Sequence, residues 1–205
     1  MKELFTEIER VLPDGGAWCS VDKACTLASL VVGLRPRIVV EIGVWQGGSA
    51  IPIALALRHV SAGRLIAIDP WSPTASIVDQ GQADIEWWGS ADHEAAYRKF
   101  LARIEVHGLH PFVTICRQPS DRCEPPGECQ VCHVDGNHGE QAIRDVERFG
   151  SRVTVGGILV LDDVNWSTGS VQRAHARAKD LGFRDLYPLG TGVVMQRKQI
   201  PGGGP

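Results

Sequence analysis

Nothing in this sequence supplies an excess of positive charge: its 205 residues carry 21 Lys and Arg against 24 Asp and Glu, a formal net charge of −3. Nucleic-acid binding, which calls for a basic face, is therefore not expected. No apolar run approaches the roughly 20 residues that cross a bilayer, so a membrane span is not expected either. The opening segment MKELFTEIERVLPDGG is acidic and amphipathic, without the basic start and apolar middle of a secretory leader. These absences leave a cytoplasmic enzyme or binding domain as the expectation. The length suits one domain that buries roughly 70% of its unfolded surface.

Two motifs are missing or incomplete. The sequence has a single CxxC, Cys129-Gln-Val-Cys132, followed by His133 and lying inside an apparent strand. Without a second CxxC the zinc reading is weak, and Cys123, Cys129 and Cys132 are expected to be buried or half-buried free thiols, since a free Cys behaves as a small hydrophobe. GxGxxG is also absent: Gly43-Val-Trp-Gln-Gly47 leaves three residues between its glycines. The close turn of a pyrophosphate-binding loop is then lost, which counts against a nicotinamide-dependent oxidoreductase.

What is present begins with helical periodicity. Leu4, Phe5, Ile8, Val11 and Leu12 recur at helical spacing, and Pro13-Asp-Gly-Gly is expected to stop that helix. Ser20 is read as the cap of a second helix that buries Ala24, Leu27, Ala28 and Val31 and ends near Gly33. Residues 1–35 thus form helices that either cover a ligand edge or simply pack against a sheet. Residues 36–198 form the main domain, and 199–205, rich in Gly and Pro, a disordered tail.

IVVEIGVWQGGS (38–49) is the most informative stretch. Its β-branched run reads as a central parallel strand at 38–42, and Gly43, Gly47 and Gly48 allow a sharp turn close to a ligand before a helix at 49–60. A second strand at 65–68 ends in Asp69, placed either to grip ribose hydroxyls or to cap a turn with Pro70. Residues 71–89 show no clean period, and Trp71, Trp87 and Trp88 suit either a binding loop or a loop pinned to the domain. Ser90 is read as the cap of the following helix. A third strand is expected at 112–116 and a fourth at 130–134, ending in Asp135.

Asn137 and Glu140 have loose capping-box spacing, which would put His138 at the first helical position as a neutral proton acceptor. A fifth strand at 156–161 ends in Asp162-Asp163. Adjacent carboxylates after a buried strand call for compensation, by a divalent cation or by dividing ligand-facing and capping roles between them. A helix at 170–181 and a hairpin of strands at 183–189 and 193–196, joined by Gly190-Thr-Gly192, complete the pattern.

Taken together, VVEIGVWQGGS, LIAIDPW, HVDGNHGEQAIRDVERF and GGILVLDDVNW resemble the class I S-adenosylmethionine-dependent methyltransferases. Within these the chain is most similar to the small metal-dependent O-methyltransferases grouped with macrocin-type sugar methyltransferases. The resemblance implies an α/β, Rossmann-like, doubly wound and mostly parallel seven-stranded sheet with an antiparallel C-terminal hairpin strand. It implies that Glu41, Gly43, Gly47 and Ser49 hold the methionine end of S-adenosylmethionine and that Asp69 binds its ribose. Gln118 and Ser120 would meet the adenine, with Asp135 also on the cofactor side. Asp135, Asp162 and Asp163 would hold Mg²⁺ or another divalent cation, and His138 would act as base. The implied partner is a small-molecule hydroxyl acceptor, a sugar diol or a catechol-like ring, with a homo-oligomer as an option. A cofactor-binding domain without catalysis is the main alternative, and an NAD-dependent oxidoreductase the lesser one.

Overall fold

Runs rich in Val, Ile and Leu alternate with helices along the chain, and every such strand enters one seven-stranded sheet. The structure, a computed structural model, describes residues 1–12 and 18–199. Its elements in order are α1 (Lys2–Val11), α2 (Val21–Leu34), β1 (Ile38–Ile42), α3 (Ala50–Val60), β2 (Arg64–Ile68), α4 (Pro73–Ser76), α5 (Gln82–Ser90) and α6 (His93–Val106). They continue with β3 (Val113–Cys116), β4 (Cys129–Val134), α7 (Glu140–Arg148), β5 (Val153–Leu161), α8 (Ser170–Asp180), β6 (Phe183–Leu189) and β7 (Gly192–Arg197). The sheet order is β3-β2-β1-β4-β5-β7-β6. Its first five strands are parallel, and β7 runs antiparallel to both β5 and β6. This is the doubly wound sheet with a terminal hairpin that the motifs imply.

Because successive strand residues face opposite sides, each strand feeds two cores. Val39, Leu65, Val131 and Val160 face the side covered by α1, α2, α3 and α6. Val40, Ile68, Cys132 and Leu161 face the side covered by α7 and α8. α3 is apolar on all its faces, with Ile51, Ile53, Leu55 and Leu57 fully buried. Such a helix needs cover on its outer side, and Leu4, Ile8, Leu27 and Val31 of α1 and α2 belong to the same core. Pro52 sits in the first turn of α3, where its missing N–H costs little.

Some local expectations need correction. Ser90 ends α5, and α6 is capped by Asp92, whose carboxylate accepts from the Ala95 N–H at 2.8 Å. The irregular stretch at 71–89 holds α4 and most of α5, short helices without an apolar stripe for periodicity to detect. α2 ends at Leu34, next to Gly33 as expected, and is closed by a left-handed Arg35, φ +48°. Cys123 is not a free thiol: it is disulfide-bonded to Cys116 across the turn after β3, whereas Cys129 and Cys132 are free and buried. Cys132 and His133 are consecutive on β4 and so face opposite sides of the sheet, which separates them as ligands. The helix stop at 13–16 and all but the first residue of the expected tail at 199–205 lie outside the described residues.

The turn after β3 is tied to α7 by Asp145, which accepts from Ser120 Oγ at 2.6 Å and from Gln141 Nε2 at 2.8 Å. Burial pushes this carboxyl up from 3.8 to about 6, against those hydrogen bonds. An acid whose folded pKa lies above its unfolded value favours the fold most when protonated, so its contribution falls as pH rises from about 4 to about 6. Asp145→Asn, which does not titrate, is therefore expected to gain on the wild type between pH 4.5 and pH 7. Calorimetric midpoints at both pH values check this; a difference that stays flat with pH would contradict it.

Candidate active site

Parallel strands deliver their C-terminal ends to one edge of the sheet, and the chain order reverses between β1 and β4, where a crevice opens. The ladder continues past the strand ends: the Gly43 N–H donates to Ile68 O at 2.9 Å, Asp135 to Ile42 O at 2.8 Å and Asp162 to Val134 O at 3.0 Å. A cavity of about 680 Å³ lies over this edge. Its wall includes Gly43, Ser49, Asp69, Asp135, His138, Asp162 and Asp163.

Gly43 is required twice over. Its φ of +87° is left-handed, and a Cβ there would sit 2.0 Å from the carbonyl oxygen of Asp135. Gly47 is also left-handed, φ +82°, and a Cβ there would meet the Phe100 ring at 2.6 Å. The turn is clasped by Asp69, which accepts from the Val44 and Trp45 N–H groups at 2.9 Å and from the Trp71 N–H at 2.7 Å. Burial raises the Asp69 pKa, and these backbone donors pull against it.

Glu41 lies under the turn and off the cavity wall. It is fully buried, accepts from Ser49 Oγ, and has His133 Nδ1 3.0 Å away on the adjoining strand position. Gln118 and Ser120 are also absent from the wall; Ser120 is spent on Asp145.

The three acids divide into a pair and a single residue. Asp135 and Asp162 share the ammonium of Lys23, which donates to Asp135 Oδ2 at 2.8 Å and to Asp162 Oδ2. Asp163 turns away to accept from Thr191 Oγ1 at 2.8 Å and lies 3.0 Å from His138 Nε2. Burial pushes Asp135 up despite Lys23. Burial would raise Asp162 too, but Lys23 and His133 hold it below its ordinary value. The nearby His138 imidazole, 3.0 Å away, holds Asp163 low against its own burial. Burial alone would lower Lys23; the charges of Asp135 and Asp162 overcome it and raise the amine.

His138 stands two residues before α7, not at its first helical position. Asn137 explains the shift. Its Oδ1 accepts from the Gly139 N–H at 2.6 Å, and its Nδ2 donates to Val78 O at 2.7 Å, so it closes a local turn and is not a cap. The His138 ring packs on Trp166 with centroids 4.1 Å apart.

Tryptophans close the mouth. Trp18 stacks on Trp45, with Trp87 and Trp88 edge-on or tilted against both, and all four line the cavity. Trp71 is buried behind them, packed on Tyr97 and Phe100, its Nε1 donating to Trp45 O at 2.8 Å. Trp71 thus pins the segment to the domain, while Trp87 and Trp88 stand on the cavity wall. Trp18, Trp45 and Asp163 keep left-handed φ values of +48°, +48° and +50° on the cavity wall. Such strain costs about 1–3 kcal/mol per residue and persists where surrounding bonds enforce it.

Two site residues escape the motif reading. Lys23 carries a signal: it lies on the apolar stripe with Ala24, Leu27, Ala28 and Val31, so its side chain must enter the fold. His133 carries its signal only through strand pairing, opposite Glu41.

The family model described as "Methyltransferase domain" matches residues 40–164. No curated protein matches the chain. Among solved structures, the O-methyltransferase NovP aligns at TM-score 0.69 and 18% identity over 88% of this chain and 81% of that one. The O-methyltransferase TomG from Streptomyces achromogenes, involved in tomaymycin synthesis and solved with SAM, aligns at 0.63 and 18% over 96% and 90%. An O-methyltransferase from Bacillus cereus in complex with SAH aligns at 0.58 and 17% over 94% and 89%. The glycine turn of β1, the acid ending β2 and the fold of these neighbours agree with a match that spans more than half of the sequence: the chain belongs to the methyltransferase-domain family.

Proposed function

We propose that this chain is an S-adenosylmethionine-dependent O-methyltransferase that acts on a hydroxyl of a small molecule. The observation that carries the reading is that the β1 glycine turn, Asp69 and the His138–Asp163 pair all line one cavity. The fit to the cofactor rests on Gly43, which lets the β1 turn pass against the Asp135 backbone and so shapes this side of the cavity, and on the acids around the cavity, which favour a cationic sulfonium. When bound, the cofactor supplies a methyl group that an oxygen takes by in-line displacement.

Gly43 and Ser49 line the methionine end in this reading. Asp69 holds the turn rigid and lies at the ribose position. Gln118 and Ser120 stand off the wall, so any adenine contact comes from the turn they form and not from their present side-chain bonds. His138 takes the acceptor's proton: with Nε2 facing Asp163, the other ring nitrogen is the accepting atom, and the carboxylate stabilises the imidazolium that forms. Trp166 fixes the ring plane by stacking. Trp18, Trp45, Trp87 and Trp88 exclude water and offer flat faces to a catechol-like ring or the apolar face of a sugar diol.

Asp135, Asp162 and Asp163 are oxygen donors of the type a divalent cation takes. The three acids do not converge on one point: the Lys23 ammonium lies between Asp135 and Asp162, and the donors fall into two groups, His133 with Asp135 and Asp162, and Asp135 with His138 and Asp163. No step above needs a metal.

The reading has three expected outcomes. S-adenosylhomocysteine raises the unfolding midpoint and NAD does not; protection by NAD alone would point to an oxidoreductase. His138→Ala lowers turnover by roughly 10²–10⁴-fold and leaves S-adenosylhomocysteine affinity, by calorimetric titration, unchanged. Gly43→Ala lowers the unfolding midpoint by roughly 5–15 °C and loses protection by S-adenosylhomocysteine; a variant that binds normally would remove the close-approach argument.

A further inference from the structure

We propose that Lys23 is the resident cation of the acid pair: its ammonium takes the place between Asp135 and Asp162 that a divalent ion would need, and presents its remaining N–H to the acceptor oxygen. A lysine in this position is costly. It lies in the first turn of α2, where the helix dipole opposes positive charge, and its side chain is only 8% exposed. The Ser20 cap, accepting from the Lys23 N–H at 3.1 Å, fixes the helix start and the direction of the side chain. Only charge-assisted bonds to both carboxylates offset that cost.

The count of donors and acceptors supports the assignment. An ammonium has three N–H groups; Asp135 and Asp162 use two, and Lys23 lines the cavity. On the other side of Asp135, His133 Nε2 is fully buried without a partner, 3.8 Å from Asp135 Oδ2. An unpartnered buried nitrogen at this carboxylate marks the pair as a place built to meet a further group. His133 and Lys23 thus flank the acids from opposite elements, β4 and α2. Asp163, the third acid, is paired with Thr191 and His138, so an ion held between Asp135 and Asp162, with His133 beside them, would have to displace Lys23.

The acceptor-facing role of the third N–H rests on the methyl-transfer reading, whereas the exclusion of a divalent ion does not. The experiment therefore uses Mn²⁺ alone as probe, followed by electron paramagnetic resonance in titrations of the full chain. The wild type should hold Mn²⁺ at least about ten-fold more weakly than Lys23→Met, in which two buried carboxylates lack a counter-charge. Lys23→Met/Asp162→Asn should return to wild-type binding. Equal binding by wild type and Lys23→Met, tight or weak, overturns the proposal. If Lys23→Met is poorly folded, Lys23→Gln is measured by unfolding midpoint with and without Mn²⁺. A rise in the variant alone supports the proposal, and the same response in variant and wild type overturns it. A failure here leaves the S-adenosylhomocysteine protection test untouched, so the two readings fall separately.

Discussion

Carboxylates that end adjacent buried strands cannot stay ionised side by side without a positive partner, and that constraint organises this protein. β4 and β5 are neighbours in register, so Asp135 and Asp162 are delivered to the same edge whether or not the charges suit one another. The partner comes from outside the sheet, on α2, whose first turn must then sit over the crevice. Once α2 is held there, Trp18, Cys19 and Ser20 become part of the cavity wall and the mouth narrows around them. One electrostatic requirement thus places a helix, a cap and an aromatic lining.

Backbone proximity is the second constraint. The β1 turn crosses the β4 end so closely that Gly43 has no room for a side chain, and the same turn folds over Asp69 through consecutive N–H groups. Asp69 also takes the Trp71 N–H, so one carboxylate joins the turn after β1 to the segment after β2. Of the left-handed residues on the wall, Trp45 is held by Asp69 and Asp163 by Thr191, so their strain is kept and not relieved.

Much of this was legible in the residues because the physics is local. β-branched runs mark the strands, the acids that follow β2, β4 and β5 mark the ligand edge, and Gly190-Thr-Gly192 marks the hairpin; each signal lies within a few positions of the element it reports. Capping was less legible, since Ser90 and Asp92 both precede α6 and only the Asp92 side chain reaches a free N–H. α4 and α5 are too short for periodicity to register. The Cys116–Cys123 pair depends on how the turn after β3 closes, which spacing does not encode. Lys23 was visible as a charged residue in an apolar stripe, but its partners lie 112 and 139 residues away. No local pattern names them. His138 was read from the turn after Asp135 and from the family resemblance, and its pairing with Asp163 emerges only when β4 and β5 stand together.

α3 has no polar side to turn outward, and this has a consequence for how the chain can vary. Its outer cover, α1 and α2, is also what brings the ammonium to the acids, so folding cooperativity and site chemistry share one set of residues. A change at Leu27 or Ile8 would first be felt as a looser seat for that helix, and the charge balance at the sheet edge would register it before the sheet itself did. The N-terminal helices are therefore poor ground for modular exchange. A graft that preserves their packing but not the residue at position 23 would keep the fold and hand the acids to whatever cation the solvent offers.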